Sequence, residues 1–288
     1  MVLHRIGIVG LGLIGGSLGL DLQKLGYEVY GVVRRKQTLK KAQSRGLAQL
    51  ISTEFKILKD CSMVIMALPL SQLIHPPEEL IHALPENAVI TDVGSVKVPV
   101  INSWQKLHPR FVGSHPMAGT IETGVDAGKF GLFNNRPWIA TPNQATDLKA
   151  LEIVHQLAID LGSNWITTDP KMHDQAVALI SHLPVFISAA LIQTVGNEKN
   201  AKLLKLAQAI ASSGFEDTTR IGGGNPYLGV AMAENNTSAI LDAMTSYRSS
   251  IEALEAIIRS KDWSGLQQEL EATQSTRPNF INSKKLST

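Results

Sequence analysis

The chain has 288 residues, enough for one large domain or two of ordinary size, and 44% of them are hydrophobic, which excludes global disorder. Its 27 basic and 25 acidic residues leave a net charge of +2 with no basic block, so no nucleic-acid partner is implied. A single cysteine, Cys61, excludes an internal disulfide framework and a CxxC metal site, and its apolar surroundings mark a buried core thiol.

The chain opens on an apolar run, Arg5-Ile6-Gly7-Ile8-Val9, followed by Gly10-Leu11-Gly12-Leu13-Ile14-Gly15 and a helical pattern. The five glycines from Gly7 to Gly16 and the missing cleavage signal argue against a signal peptide. Strand candidates follow at 4–9, 27–33, 63–68, 88–92, 111–114, 137–141 and 164–168. Helical candidates lie between them at 14–25, 38–45, 71–84, 97–107 and 147–161. Pro76-Pro77 should break the third of these helices. This alternation predicts a largely parallel, doubly wound Rossmann-type α/β sheet with helices on both faces.

The pattern changes at Asp169-Pro170, an N-cap acceptor followed by proline at the first helical position. From there to about 276 the sequence reads as all-helical. Leu179, Leu183, Phe186, Ile187, Ala190 and Leu191 recur at helical steps, as do Leu203, Leu206, Ala207 and Ile210, and Ile240, Met244, Tyr247, Ile251, Leu254 and Ile258. Pro184 should kink its helix. Residues 277–288 read as a polar, frayed tail. The expected organisation is a dinucleotide-binding domain over 1–168 and a helical substrate and dimerisation domain over 169–288. No run of about 20 apolar residues offers a membrane span, so a cytoplasmic setting is expected.

The strand-turn-helix setting makes the glycine run a dinucleotide fingerprint. Gly10 would allow the tight turn, Gly12 the approach of a pyrophosphate, and Gly15 close helix–strand packing. Leu13 and Ile14 carry the first amides of the helix, which face the phosphate charge. Leu68 and Pro69, at the end of the 63–68 strand, and Ser95 belong with the cofactor-binding residues. No carboxylate ends the second strand, where an NAD enzyme usually holds the ribose. Arg34-Arg35 stands there, with Thr38 at the next helix start. Paired guanidinium groups suit a 2′-phosphate, which favours NADP, and a solvated basic turn is the alternative.

Two loops at strand carboxyl ends carry candidate chemistry: Asp92-Val93-Gly94-Ser95-Val96-Lys97 and Gly113-Ser114-His115-Pro116. His115 is placed as an acid–base group, or is structural if taken alone, and Ser95 is its candidate helper. In the helical half, His173 and His182 lie about 2.5 turns apart and should face opposite sides, so no metal site is expected. His182 points into the cleft or is a core histidine, and His173 reads as a surface or cap residue. Arg220, before Gly222-Gly223-Gly224, offers a clamp for a carboxylate or a salt bridge to Glu216 or Asp217.

Together, GLGLIGGSL (10–18), TDVGSVK (91–97), GSHPMAG (113–119), HDQAVALISHLP (173–184) and DTTRIGGGNP (217–226) resemble the prephenate/arogenate dehydrogenase family of tyrosine biosynthesis, over residues 4 to 276. Ser114 departs from the family, which often has a second glycine there, and would matter if it crowded the cleft. The resemblance implies oxidative decarboxylation of a cyclohexadienol. His115 would take the hydroxyl proton, Ser95 would orient it, Arg220 would hold a substrate carboxylate and His182 would bound the pocket. It also implies a homodimer through the helical domain. No regulatory ACT domain is expected after residue 276 and no chorismate mutase before residue 4, and the expected substrate is arogenate, with prephenate the alternative. Rival readings are a β-hydroxyacid dehydrogenase or imine reductase, against which GSHPMAG stands, and a non-catalytic NADP sensor.

Overall fold

The structure is a computed structural model that describes residues 5–120 and 122–281. His4 of the first expected strand and residues 282–288 of the expected tail lie outside the described residues. The chain divides into two compact units, Met1–Thr237 and Ser238–Thr288.

The first unit begins with β1 (Arg5–Val9), α1 (Leu13–Lys24), β2 (Glu28–Val32), α2 (Lys36–Ser44) and β3 (Leu50–Ser52). A 3₁₀ turn, Phe55–Leu58, leads to β4 (Met63–Met66), α3 (Leu70–Ile74), α4 (Glu78–Ala83), β5 (Val89–Asp92), α5 (Val98–Trp104) and β6 (Phe111–Val112). These six strands form one sheet in the order β3-β2-β1-β4-β5-β6 with every pairing parallel. The strands are buried on both faces, as a parallel sheet covered by helices requires. Ile6, Ile8, Leu18, Leu22 and Met63 lie in one core cluster and Val64, Met66, Leu73, Ile90 and Trp104 in the other. Cys61 belongs to the second cluster, where burial pushes its thiol up to about 12. Pro76-Pro77 separates α3 from α4, as the sequence predicts. The short β3 and the 3₁₀ turn were not predicted, because three residues carry too little periodicity to register.

One strand differs from expectation in a way that matters for the site. The run 111–114 is not one strand. β6 ends at Val112, Gly113 breaks the ladder, and β7 (Ser114–Pro116) joins a second sheet with β8 (Pro137–Ala140) and β9 (Asn164–Thr167). β7 runs antiparallel to β8, and β8 parallel to β9. A Cβ on Gly113 would sit 2.9 Å from Ile101 Cγ1 and 3.0 Å from Thr141 Oγ1, so the crossing between sheets needs the bare glycine. α6 (Leu148–Asp160), capped by Asp147, connects β8 to β9.

The helical part starts at α7 (Pro170–Val177), whose cap Asp169 accepts from the Lys171 and Met172 amides. A π-helical turn, Ala178–His182, then runs into α8 (Leu183–Gly196). This turn is where the expected interruption at Pro184 is expressed. Proline has no N–H to donate into the preceding turn, and a wider i→i+5 turn accommodates the gap. The continuous helix Pro170–Gly196 is long and apolar enough by composition to cross a membrane, contrary to the sequence expectation. That expectation counted uninterrupted apolar runs, and this helix is interrupted by His182, Ser188 and other polar residues. α9 (Ala201–Ile210), α10 (Ser213–Thr219) and α11 (Pro226–Asn235) complete the unit. α12 (Thr237–Ser260), α13 (Trp263–Thr276) and α14 (Pro278–Ile281) follow. Pro278–Ile281 is thus helical, where the sequence reads as the start of a frayed tail.

Candidate active site

Strand order reverses between β1 and β4, and ligands of such sheets sit outside the carboxyl ends at this point. Gly10, directly after β1, has φ +98°, and a Cβ there would overlap the Ala67 carbonyl oxygen. A Cβ on Gly15 would overlap the carbonyl oxygen of Gly10. Both positions therefore require glycine for backbone reasons. Gly12 is different: a Cβ there meets nothing within 4 Å. It is also the N-cap of α1, with no side-chain cap. The open space at Gly12 and the uncapped amides beginning at Leu13 and Ile14 fit a pyrophosphate. Leu68 and Pro69 follow β4 across the switch point, and Pro69 begins α3. Arg34 and Arg35 are exposed after β2, with no ion-pair partner among the described residues, and Thr38 lies in the first turn of α2. Glu28, the carboxylate of β2, sits at the opposite end of the strand, paired with Arg5 at 3.0 Å.

His115 lies in β7, just beyond the carboxyl end of β6, and is partly exposed. Its Nδ1 is 2.9 Å from His173 Nε2. His173 Nδ1 is 2.7 Å from Asp174 Oδ1. Asp174 in turn accepts from the Lys97 amide at 2.7 Å and the Val98 amide at 2.8 Å, at the start of α5. The bonding sets the tautomers. A carboxylate accepts only, so His173 carries its proton on Nδ1 and offers a lone pair at Nε2. His115 must then carry its proton on Nδ1, which leaves the Nε2 lone pair without a partner among the described residues. Burial, then His173, Lys97 and His182, hold His115 well below the ordinary histidine value, so it is neutral at physiological pH.

His173 is therefore not the surface or cap residue that its sequence position suggests. It is 2% exposed and bonded to His115. His182, expected on the opposite side of the helix, is also fully buried. The π turn between them explains the error. It advances fewer degrees per residue than an α-helix, so the counted phase does not hold across it. Asn236 Nδ2 donates to the Asp174 carbonyl at 2.7 Å and lies 3.3 Å from His182 Nδ1. An amide nitrogen only donates, so His182 accepts at Nδ1 and carries its proton on Nε2, a buried donor with no partner among the described residues. Burial pushes His182 down to about 4.

Beneath His115 lies a buried ion pair that spacing alone did not reveal. Lys97 and Asp92 are both fully buried and bonded to each other. Burial lowers the Lys97 ammonium, and Asp92 counters this. The departure at Ser114 does not crowd the cleft. Its hydroxyl donates to the Asp92 carbonyl at 2.8 Å and sits 2.9 Å from Thr91 Oγ1, within the core. Ser95 is half-buried beside this network, and its hydroxyl bonds to no described residue; the His115 ring is held by His173 instead. Arg220 caps the end of α10 and is exposed, without the alternative salt bridge to Glu216 or Asp217. Its turn is seated against α8: the Gly222 amide donates to Ser188 Oγ at 2.8 Å, where a Cβ would overlap the α8 backbone.

Comparison with known proteins identifies this arrangement. The profile of the family described as "Prephenate dehydrogenase, nucleotide-binding domain" matches residues 18–167, and that of "Prephenate dehydrogenase, dimerization domain" matches 169–272. The prephenate dehydrogenase of Bacillus subtilis (strain 168) is 32% identical over 262 residues, covering 88% of this chain and 70% of that protein. Among solved structures, arogenate dehydrogenase from Synechocystis is 40% identical with a TM-score of 0.84, covering 96% of this chain and 99% of that one. Prephenate dehydrogenase from A. aeolicus, solved with hydroxyphenyl propionate and NAD+, is 27% identical with a TM-score of 0.89, covering 97% and 99%. A six-stranded parallel nucleotide-binding sheet, a helical dimerization domain and two family profiles spanning most of the sequence place this chain in the prephenate/arogenate dehydrogenase family of tyrosine biosynthesis.

Proposed function

We propose that this enzyme oxidatively decarboxylates arogenate to tyrosine with NADP, using His115 as the base. The observation that carries the reading is the His115–His173–Asp174 relay at the carboxyl end of the sheet, which presents a neutral Nε2 lone pair. Bound at Gly12, Leu13, Ile14 and Gly15, the dinucleotide supplies the hydride acceptor. His115 Nε2 takes the proton of the ring hydroxyl as the C–O bond becomes a carbonyl. The cation formed on His115 is stabilised through His173 by the Asp174 carboxylate. The C–COO⁻ bond then breaks, CO₂ leaves, and its electron pair shifts through the ring onto the carbonyl oxygen, which takes back a proton from His115 as the aromatic phenol forms. His182 Nε2–H donates to a substrate oxygen, which would satisfy its unpartnered buried donor. Arg220 holds a substrate carboxylate. Ser95, on the loop after β5, orients the substrate hydroxyl.

The NADP assignment rests on Arg34 and Arg35 at the end of β2, supported by Thr38. Arogenate rests on the 40% identity to the Synechocystis enzyme, together with the NADP reading. The other reading is prephenate with NAD, favoured by the names of the Bacillus subtilis and A. aeolicus relatives. Residues 169–288 would serve as the substrate and dimerisation domain of a cytoplasmic homodimer. Initial rates with each substrate and each dinucleotide, followed by the near-ultraviolet absorbance of the reduced nicotinamide, separate the readings. The highest kcat/KM is expected for arogenate with NADP. A higher value for prephenate, or for NAD, overturns that part of the assignment.

A further inference from the structure

The fully buried Lys97 has no role in the chemistry above, although it bonds to Asp174 at one end of the relay and to Ser114, the residue before His115, at the other. We propose that Lys97, paired with Asp92, is a positioning residue that locks His115 in its reactive orientation. The proposal rests on His115 being the base.

The geometry begins with a backbone problem. In the β7·β8 ladder, the Thr141 amide donates to the Gly113 carbonyl at 2.9 Å and the Met117 amide to the Pro137 carbonyl at 2.8 Å. Backbone groups alternate sides along a strand, so the N–H and C=O of Ser114 face away from β8. No strand receives them there, because β5 ends at Asp92 and β6 at Val112. The ion pair takes the place of the missing strand edge. Asp92 Oδ1 accepts from the Ser114 amide at 3.0 Å, and Lys97 Nζ donates to the Ser114 carbonyl at 2.7 Å. Asp92 Oδ2 also accepts from the Gly94 amide at 2.8 Å, which fixes the carboxylate on its own loop.

Both polar backbone atoms of the residue before His115 are therefore gripped by one buried pair. The same Lys97 reaches the far end of the relay through its main chain, since its amide donates to Asp174 Oδ1 at 2.7 Å. A closed circuit results: Lys97 Nζ to Ser114, along the chain to His115, across to His173 and Asp174, and back to the Lys97 amide. Shifting the ammonium moves the backbone of His115 relative to His173, whose own anchor stays put. A buried ion pair is a poor source of stability compared with apolar residues of similar volume, so positioning is the more economical account of it.

The test uses the whole enzyme. Lys97→Met alone strands the Asp92 carboxylate, so the paired variant Lys97→Met/Asp92→Asn is made as well. Either variant that folds, judged by melting temperature and by dinucleotide binding through fluorescence, is assayed. The expected result is a kcat lowered at least tenfold, a KM changed less than about threefold, and an acid limb of the kcat/KM profile moved to higher pH as the loosened His115 meets water. Unchanged kcat and acid limb in a folded variant overturn the proposal, and so does loss of folding in both, which would make Lys97 purely structural. His115→Gln run alongside separates the two claims. If it is inactive while the Lys97 variants behave as wild type, only the positioning role falls. If it turns over normally, the base assignment falls first.

Discussion

At the residue scale, the site depends on where two protons sit. Asp174 fixes the first, on His173 Nδ1, and the second, on His115 Nδ1, follows along the relay. Asp174→Ala removes the acceptor that pins the His173 proton on Nδ1. His173 can then carry it on Nε2, where His115 must accept at Nδ1 and loses its Nε2 lone pair. A kcat reduced by about 10²-fold or more is expected, with dinucleotide affinity retained, measured by steady-state kinetics and fluorescence titration. His182 gives a stability signature. It is held neutral in the folded state at about 4, while in the unfolded chain it titrates near 6.5. Between these values the unfolded state binds more protons, so stability falls as pH drops from about 6.5 towards 4. The loss is about 3 kcal/mol in all. Urea unfolding across this range checks it, and a His182→Gln variant should flatten the dependence. His115 stood out in the sequence through the loop it follows, whereas His182 could be read as a cleft or as a core residue; the structure buries it in a π turn. His173 did not stand out, because helical phase was counted across a π turn that the spacing of residues does not announce.

At the element scale, the glycine turn separates two roles that look alike in the sequence. Gly15 packs against the Gly10 carbonyl, whereas Gly12 faces open space. Gly15→Ala should therefore destabilise the fold by about 2 kcal/mol or more through backbone overlap, seen as a lower urea midpoint. Gly12→Ala should leave the midpoint almost unchanged and weaken dinucleotide binding about tenfold or more, since the methyl group fills the space of the pyrophosphate. The βα alternation gave the order of most elements, because buried parallel strands read as continuous apolar runs. The split of 111–114 into β6 and β7 did not show. Four apolar and small residues look like one strand, and only the tight fit of Gly113 against Ile101 and Thr141 reveals the change of sheet. The Lys97 circuit was hidden for the same reason, since it exists only where that change turns the N–H and C=O of Ser114 away from β8 with no strand on their side.

At the scale of the whole molecule, the helices leave large apolar side chains uncovered. Leu206 is 55% exposed and Ile210 69% on α9, and Tyr227 is 84% exposed on α11. Isolated exposed apolar residues are ordinary, but this many on helices of a dimerization domain point to a second copy. Light scattering should give about twice the 31.2 kDa of one chain, and Leu206→Glu with Ile210→Glu should shift the mass towards one chain. The sequence pattern showed these apolar stripes, but a stripe alone does not say which of its residues the chain covers itself. In the proposed reaction, the dinucleotide turn and the substrate anchor at Arg220 would serve one chemical event, removal of a proton by His115. The most direct measurement is therefore kcat of His115→Gln with saturating arogenate and NADP, beside its dinucleotide affinity. A fall of about 10²–10⁴-fold with unchanged affinity is the predicted result. Turnover close to that of the unaltered enzyme would contradict the account.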